Sequence, residues 1–147
     1  MSLRLRPVNT MPDKSHFGKN GLIELGIDTA RDRIDFWTSS GGSISAISQL
    51  PPYKWSHIAA VGSGSALKIY INGIETAVGG SSTVNYGTNA SVFKIGEGVL
   101  APSGDFFEGR VDDVGVYSRA LCPEEILDLY LGGRPSGVRI IRCPETR

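Results

Sequence analysis

Carboxylates gather in one short stretch, DFFEGRVDDVGVY from Asp105 to Tyr117, and their spacing poses the first chemical question. Val111, Val114, Val116 and Tyr117 are β-formers, so the segment reads as a strand with at least one face buried. Strict alternation places Asp112 beside Val114 and Val116, on the core side. A buried carboxylate has to accept backbone N–H groups, pair with Arg110 or Arg119, or bind a cation. Asp113 falls on the opposite face, in water or paired with Arg119. Asp112, with Asp113 next to it, is thus the candidate cation ligand. As a hydrolytic pair, Glu108 and Asp112 are poorly served by Arg110 between them. A guanidinium there holds both carboxyls ionised and removes the raised-pKa acid that glycoside hydrolysis needs.

Other reactive side chains are sparse. His57 lies in WSHIAAV on the face of Trp55 and Ala59, where a lone histidine reads as a satisfied core residue, and His16 has no evident partner. The two cysteines, Cys122 and Cys143, lack CxxC spacing and companion histidines, so they pair with each other or stay free. If the chain is exported, a Cys122–Cys143 disulfide closes a loop of about 20 residues, worth ~3 kcal/mol in the chain-entropy model. Gly62 to Ser65 (GSGS) is a turn, since no helix start follows it to make a phosphate loop. Asn89-Ala90-Ser91 fits a glycosylation sequon. The side chains suited to a ligand are aromatics near loops, Tyr53, Tyr86 and Phe106, with Trp37 at a strand end. Sugar rings stack their apolar faces on such groups.

These groups must be positioned by a chain of 147 residues, a single domain's worth. Nineteen glycines and eight prolines spread through it mark frequent turns and little helix. Fifteen basic and fifteen acidic residues cancel, leaving no electrostatic footprint for nucleic acid. No stretch approaches the roughly 20 apolar residues of a membrane-spanning helix, and no apolar run follows MSLRLRP as in a signal peptide. Gly21 to Ile27 alternates as a half-buried strand, and RIDFWT from Arg33 to Thr38 returns as its hairpin partner. Ile44 to Ile47 is a short strand. Asn72-Gly73 is a type I′ turn signal that folds Lys68–Ile71 back on Ile74–Val78. Pro123 suits a first helical position, Glu124 and Glu125 a first turn, and Gly132-Gly133 a stop, so a short helix with Ile126, Leu129 and Tyr130 on its apolar stripe runs to Leu131. Residues 1–20 read as an arm with at most one short strand near Leu3 to Leu5.

Several of these segments together resemble the laminin-G-like jelly roll domains of the concanavalin A-like lectin/glucanase superfamily. Phe107 to Val114 matches Phe-x-Gly-x-Ile-Asp-Asp/Glu-Val, Tyr117 to Leu121 matches Tyr-x-Arg-Ala-Leu, and Cys122 to Ile126 matches Ser-x-x-Glu-Ile. Leu50 to Val61 is similar to the family's Trp-x-His-Ile/Val-Ala strand, Leu67 to Ile74 to its Leu-x-x-Tyr-Ile-Asn-Gly hairpin, and Phe93 to Gly96 to the strand before a long loop. Gly115 stands where a larger, often basic residue is usual, and Cys122 where a capping serine is usual. The likeness spans residues 21–131; the N-terminal strands of the family have no counterpart in residues 1–20, and Gly137 to Arg142 (GVRIIR) is an extra candidate strand in a C-terminal segment, residues 132–147.

The resemblance implies an all-β, antiparallel two-sheet jelly roll with one short C-terminal helix. It also implies a non-catalytic binding module for a glycan or a protein surface, an extracellular setting, and Ca²⁺ held by Asp112 near the N-terminal region. A structural or assembly domain without a small ligand, and a degenerate glycoside hydrolase, are the alternatives. The superfamily's hydrolases use a Glu-x-Asp-x-Glu strand, against which Glu108-x-Arg110-x-Asp112 has the wrong centre. Missing N-terminal strands would leave the last strand uncovered, to be filled by GVRIIR or by a second chain in a homodimer.

Overall fold

The computed structural model describes residues 1–8, 14–28, 32–40, 42–47, 50–62, 66–80, 87–97 and 106–132, with the side chains of 14–16 left aside. Its strands are β1 (Ser2–Pro7), β2 (Lys14–Lys19), β3 (Ile23–Asp28), β4 (Arg33–Thr38), β5 (Gly42–Ile47), β6 (Ser56–Gly62), β7 (Leu67–Ile71), β8 (Ile74–Gly79), β9 (Phe93–Lys94) and β10 (Gly109–Gly115), followed by helix α1 (Pro123–Tyr130). They form two antiparallel five-stranded sheets, β10-β1-β6-β7-β8 and β5-β4-β3-β2-β9. The expected all-β sandwich with one short C-terminal helix is what the described residues adopt.

Period-two alternation supplies the core. Leu3 and Leu5 from β1, Ile58 and Ala60 from β6, and Leu67 and Ile69 from β7 meet Phe17, Leu25, Ile27, Ile34 and Phe36 from the other sheet. The partners of these residues on the other side of β4, Arg33, Asp35 and Trp37, are half-buried. Strand β6 is buried along nearly its whole length because its second face is covered too. Ala59, Val61 and Tyr70 pack under Leu121, Ile126 and Leu129, so α1 lies on the outward face of the β6–β7 sheet. That accounts for the unbroken apolar run IAAV, which no half-exposed strand would carry.

The first correction concerns the N-terminal residues. The short strand allowed near Leu3 to Leu5 is present and longer, and it belongs to no loose arm: β1 pairs with β10 on one side and β6 on the other, with Leu3 and Leu5 each 0% exposed. Strand β2 likewise pairs with β3 and β9. The gap inferred beside the last strand is therefore filled by β1, which removes the argument for a second chain to cover it. GVRIIR lies outside the described residues, as does Cys143.

The hairpin and helix follow their local signals. Asn72 and Gly73 have φ of 51° and 81°, as a type I′ turn requires. A Cβ on Gly73 would come within 2.9 Å of Leu127 Cδ1, so the turn sits tightly against α1. Cys122 supplies no hydroxyl cap, yet Glu125 Oε2 accepts the Cys122 N–H at 3.0 Å, retaining the reciprocal half of a capping box. Arg119 grips the same carboxylate through both terminal nitrogens, at 2.7 and 2.6 Å.

Candidate functional site

Asp112 and Asp113 are the residues whose placement departs most from alternation. The pairing shifts between Ser2↔Gly115 and Arg4↔Asp112, which leaves one more residue on β10 than on β1. This is a β-bulge, and Asp113 takes the positive φ of 50° there. Val111 packs against the core while Asp112 and Asp113 are both exposed, so the expectation of a buried Asp112 is wrong. Asp112 Oδ1 accepts the Asp113 N–H at 2.8 Å. Asp113 Oδ2 sits 3.2 Å from Arg4 Nε, not on Arg119, which is taken by Glu125. Among the described residues no group of three His, Cys, Asp or Glu side chains comes together to hold a metal. Glu108, just before β10, and Arg110 and Asp112 on it are all exposed.

Arg4 is the hub on this side of the molecule. Its Nη2 donates to the carbonyls of Leu129 at 2.9 Å and Tyr130 at 3.1 Å. Since α1 has no basic residue in its last turn, this guanidinium from β1 supplies the cation that the helix C-terminus favours. Beside it, His57 is 3% exposed and its Nε2 lies 2.8 Å from Ser2 Oγ. Burial first, then the positive charge of Arg4, lowers the His57 pKa to about 4, with Asp113 opposing, so the ring is neutral near pH 7. The sequence expectation of a satisfied core histidine holds for Nε2. Nδ1 is buried with no hydrogen-bond partner among the described residues.

The candidate ligand aromatics divide between the sheets. Trp37 is half-buried on the outward face of the β3–β4 sheet, across from Glu24 and Ser43. One pleat along, Asp35 is held by Arg33 Nε at 3.0 Å and by the Ser45 hydroxyl. Tyr53 and Phe106 are 64% and 58% exposed. Their loops meet at the end of β1: Tyr53 N–H donates to Pro7 O at 2.7 Å, and Val8 N–H to Glu108 O at 3.1 Å. Tyr53 has φ of 60°, and its carbonyl accepts from Arg6 Nε at 3.0 Å. Trp55, assigned to the core face from sequence, is 44% exposed at the same end. The signal available for it was the preceding PPYK turn, which ends the alternation before β6 begins. Tyr86 lies outside the described residues.

With this geometry in place, a sequence profile of the concanavalin A-like lectin/glucanases superfamily matches residues 2–127. The chain belongs to that superfamily. The match begins at β1, which agrees with the pairing of the first strand. No curated protein matches the sequence. Among solved structures, this member of the superfamily is similar to a candidate carbohydrate-binding protein from Bacteroides ovatus, with a TM-score of 0.64 and 18% identity over 92% of this chain and 41% of that one. It is also similar to domain 4 of AbnA, a GH43 extracellular arabinanase from Geobacillus stearothermophilus, solved with arabinotriose (TM-score 0.60, 25% identity, 88% of this chain and 64% of that one). A Trypanosoma rangeli sialidase shares the fold at TM-score 0.56 and 20% identity, over 89% of this chain and 22% of that one. The chain thus spans less than two thirds of each of these neighbours.

Proposed function

We propose that this domain is a non-catalytic carbohydrate-binding module, and that it holds its glycan on the aromatic rim formed by Tyr53, Trp55 and Phe106. The observation that carries this is Tyr53: an exposed aromatic ring on a backbone of φ 60°, pinned through its N–H by Pro7 and through its carbonyl by Arg6. A bulky residue in the left-handed region costs about 1–3 kcal/mol and persists where the surroundings enforce it. A ring displayed in that way is pre-organised, so little freedom is lost when a sugar face stacks on it. The likeness to an arabinanase domain solved with arabinotriose supports a glycan as the ligand. Against hydrolysis, Glu108 just before β10 and Asp112 on it are both exposed, with Arg110 between them.

A glycan array with and without Ca²⁺, followed by calorimetric titration of the best binder, tests the proposal. Tyr53→Ala is expected to weaken binding about tenfold or more, equal to ~1.4 kcal/mol. Loss in Trp37→Ala with Tyr53→Ala unaffected would move the site to the β3–β4 sheet. A blank array in both conditions would leave a protein surface as the target of the same exposed rings.

A further inference from the structure

Between β10 and the end of α1 lies a cavity of about 500 Å³, within the range of small-molecule sites. It is lined by Ser2, Arg4, His57, Asp113, Tyr117 and Leu129, with Val114, Gly115 and Gly132 completing its wall. The sequence singled out Asp113, His57 and Gly115 separately without bringing them to one place, and the two departures from regularity in β10 both fall on it. The bulge turns Asp113 toward Arg4. Gly115, where a larger residue is usual in domains of this kind, lets Tyr117 fold across it: a Cβ there would stand 2.8 Å from the Tyr117 hydroxyl. Any side chain at 115 would have to displace that ring.

The polar groups are fixed before a ligand arrives. Arg4 is held by two helix carbonyls and by Asp113, contacts that do not use its Nη1. His57 is oriented by Ser2, with Nδ1 buried and unpartnered among the described residues. The charge of Arg4 is opposed by Asp113 and by the negative end of the helix, so the site has no surplus with which to favour an anion. An acceptor facing Arg4, a donor facing Asp113, and apolar wall at Leu129 and Val114 together describe a small, uncharged polyol with one C–H face.

We infer that this cavity is a second subsite, which takes a single neutral sugar unit on the helix-bearing sheet, separate from the Tyr53 rim. This rests on the proposed carbohydrate-binding function and adds a second point of attachment. Two such points raise avidity for a branched or long glycan without new contacts at either.

The test is titration of the isotopically labelled protein with L-arabinose, D-galactose and D-glucose, and with D-glucuronate as charged control, read by amide shifts of Gly115, Tyr117 and Gly132. One or more neutral sugars should move these amides in wild type and in Tyr53→Ala alike. Gly115→Leu, which fills the cavity at the half-buried end of β10 and pushes aside only the tip of the Tyr117 ring, should weaken that response at least tenfold while keeping the fold and the rim's glycan binding. Stationary pocket amides with intact binding at the rim would overturn the subsite and leave the proposed function standing. Preference for glucuronate would overturn the neutral-ligand assignment. Failure of every glycan at both places would overturn the two together.

Discussion

Asn72 and His57 hold each other through two hydrogen bonds: Asn72 N–H donates to His57 O at 2.8 Å, and Asn72 Oδ1 accepts the His57 N–H at 2.9 Å. One residue thus makes the β7–β8 turn and also completes the backbone bonding of the β6 strand at the histidine that lines the cavity. The amide side chain therefore does work that the turn geometry alone does not require. Asn72→Gly keeps the positive φ but loses the acceptor for a shielded N–H, at an expected cost of about 1–2 kcal/mol in urea unfolding. Asn72→Ala should be the more destabilising of the two, since alanine adds the left-handed strain. Equal stability of the two variants would show that the side-chain bond, and not the conformation, dominates.

Arg4 should behave as a helix-capping residue more than as a surface ion pair. Its partner Asp113 is largely in solvent, where such pairs contribute ~0–1 kcal/mol. Asp113→Asn is accordingly expected to lower the melting temperature only slightly. Arg4→Met strips the end of α1 of its donor to Leu129 and Tyr130, and thermal unfolding should show a loss of ~1–3 kcal/mol.

Stability should fall with acidity in a window set by His57. Its pKa drops from 6.5 to about 4 on folding, so between those values the unfolded chain binds the extra proton. The stabilisation is complete above pH 6.5, declines as pH falls, and is gone below about 4. Up to about 3 kcal/mol is at stake by linkage. Comparing urea midpoints at pH 7 and pH 5 in wild type and His57→Gln measures it: the variant, which cannot take up the proton, should lose less.

Cys122 and Cys143 are expected to pair. Thiol titration of denatured, unreduced protein should find neither free, and reduction should cost ~3 kcal/mol for a loop of about 20 residues. Two reactive thiols in oxidised, folded material would end this expectation.

What was legible in the sequence was local. RIDFWT has the bounds of β4, Asn72-Gly73 adopts the turn it announced, and Pro123 opens α1. Each is decided by a few neighbours in sequence. Of β1 only a short strand near Leu3 to Leu5 was legible, and not its central place, because two alternating leucines between arginines mean little until β6 and β10 flank them, and these partners are distant in the chain. Asp112 was misplaced because alternation is a count, and one extra residue resets it; nothing in VDDV marks the bulge except an aspartate able to take positive φ. The two candidate sites show the same divide. Tyr53 and Phe106 could be named from their loops, whereas the cavity needs Arg4, His57 and Asp113 from three different strands.

The place of β1 in its sheet also dictates an order of events during synthesis. Arg4 leaves the ribosome about 100 residues ahead of its partner Asp112 on β10, which at typical elongation rates is roughly 5–20 s. For that interval the β6–β7–β8 meander can assemble and β1 can join it, but the strand that becomes the sheet's interior has a bare edge. A nascent chain of this domain is therefore most exposed to wrong pairing through a strand that is flanked on both sides when it is finished.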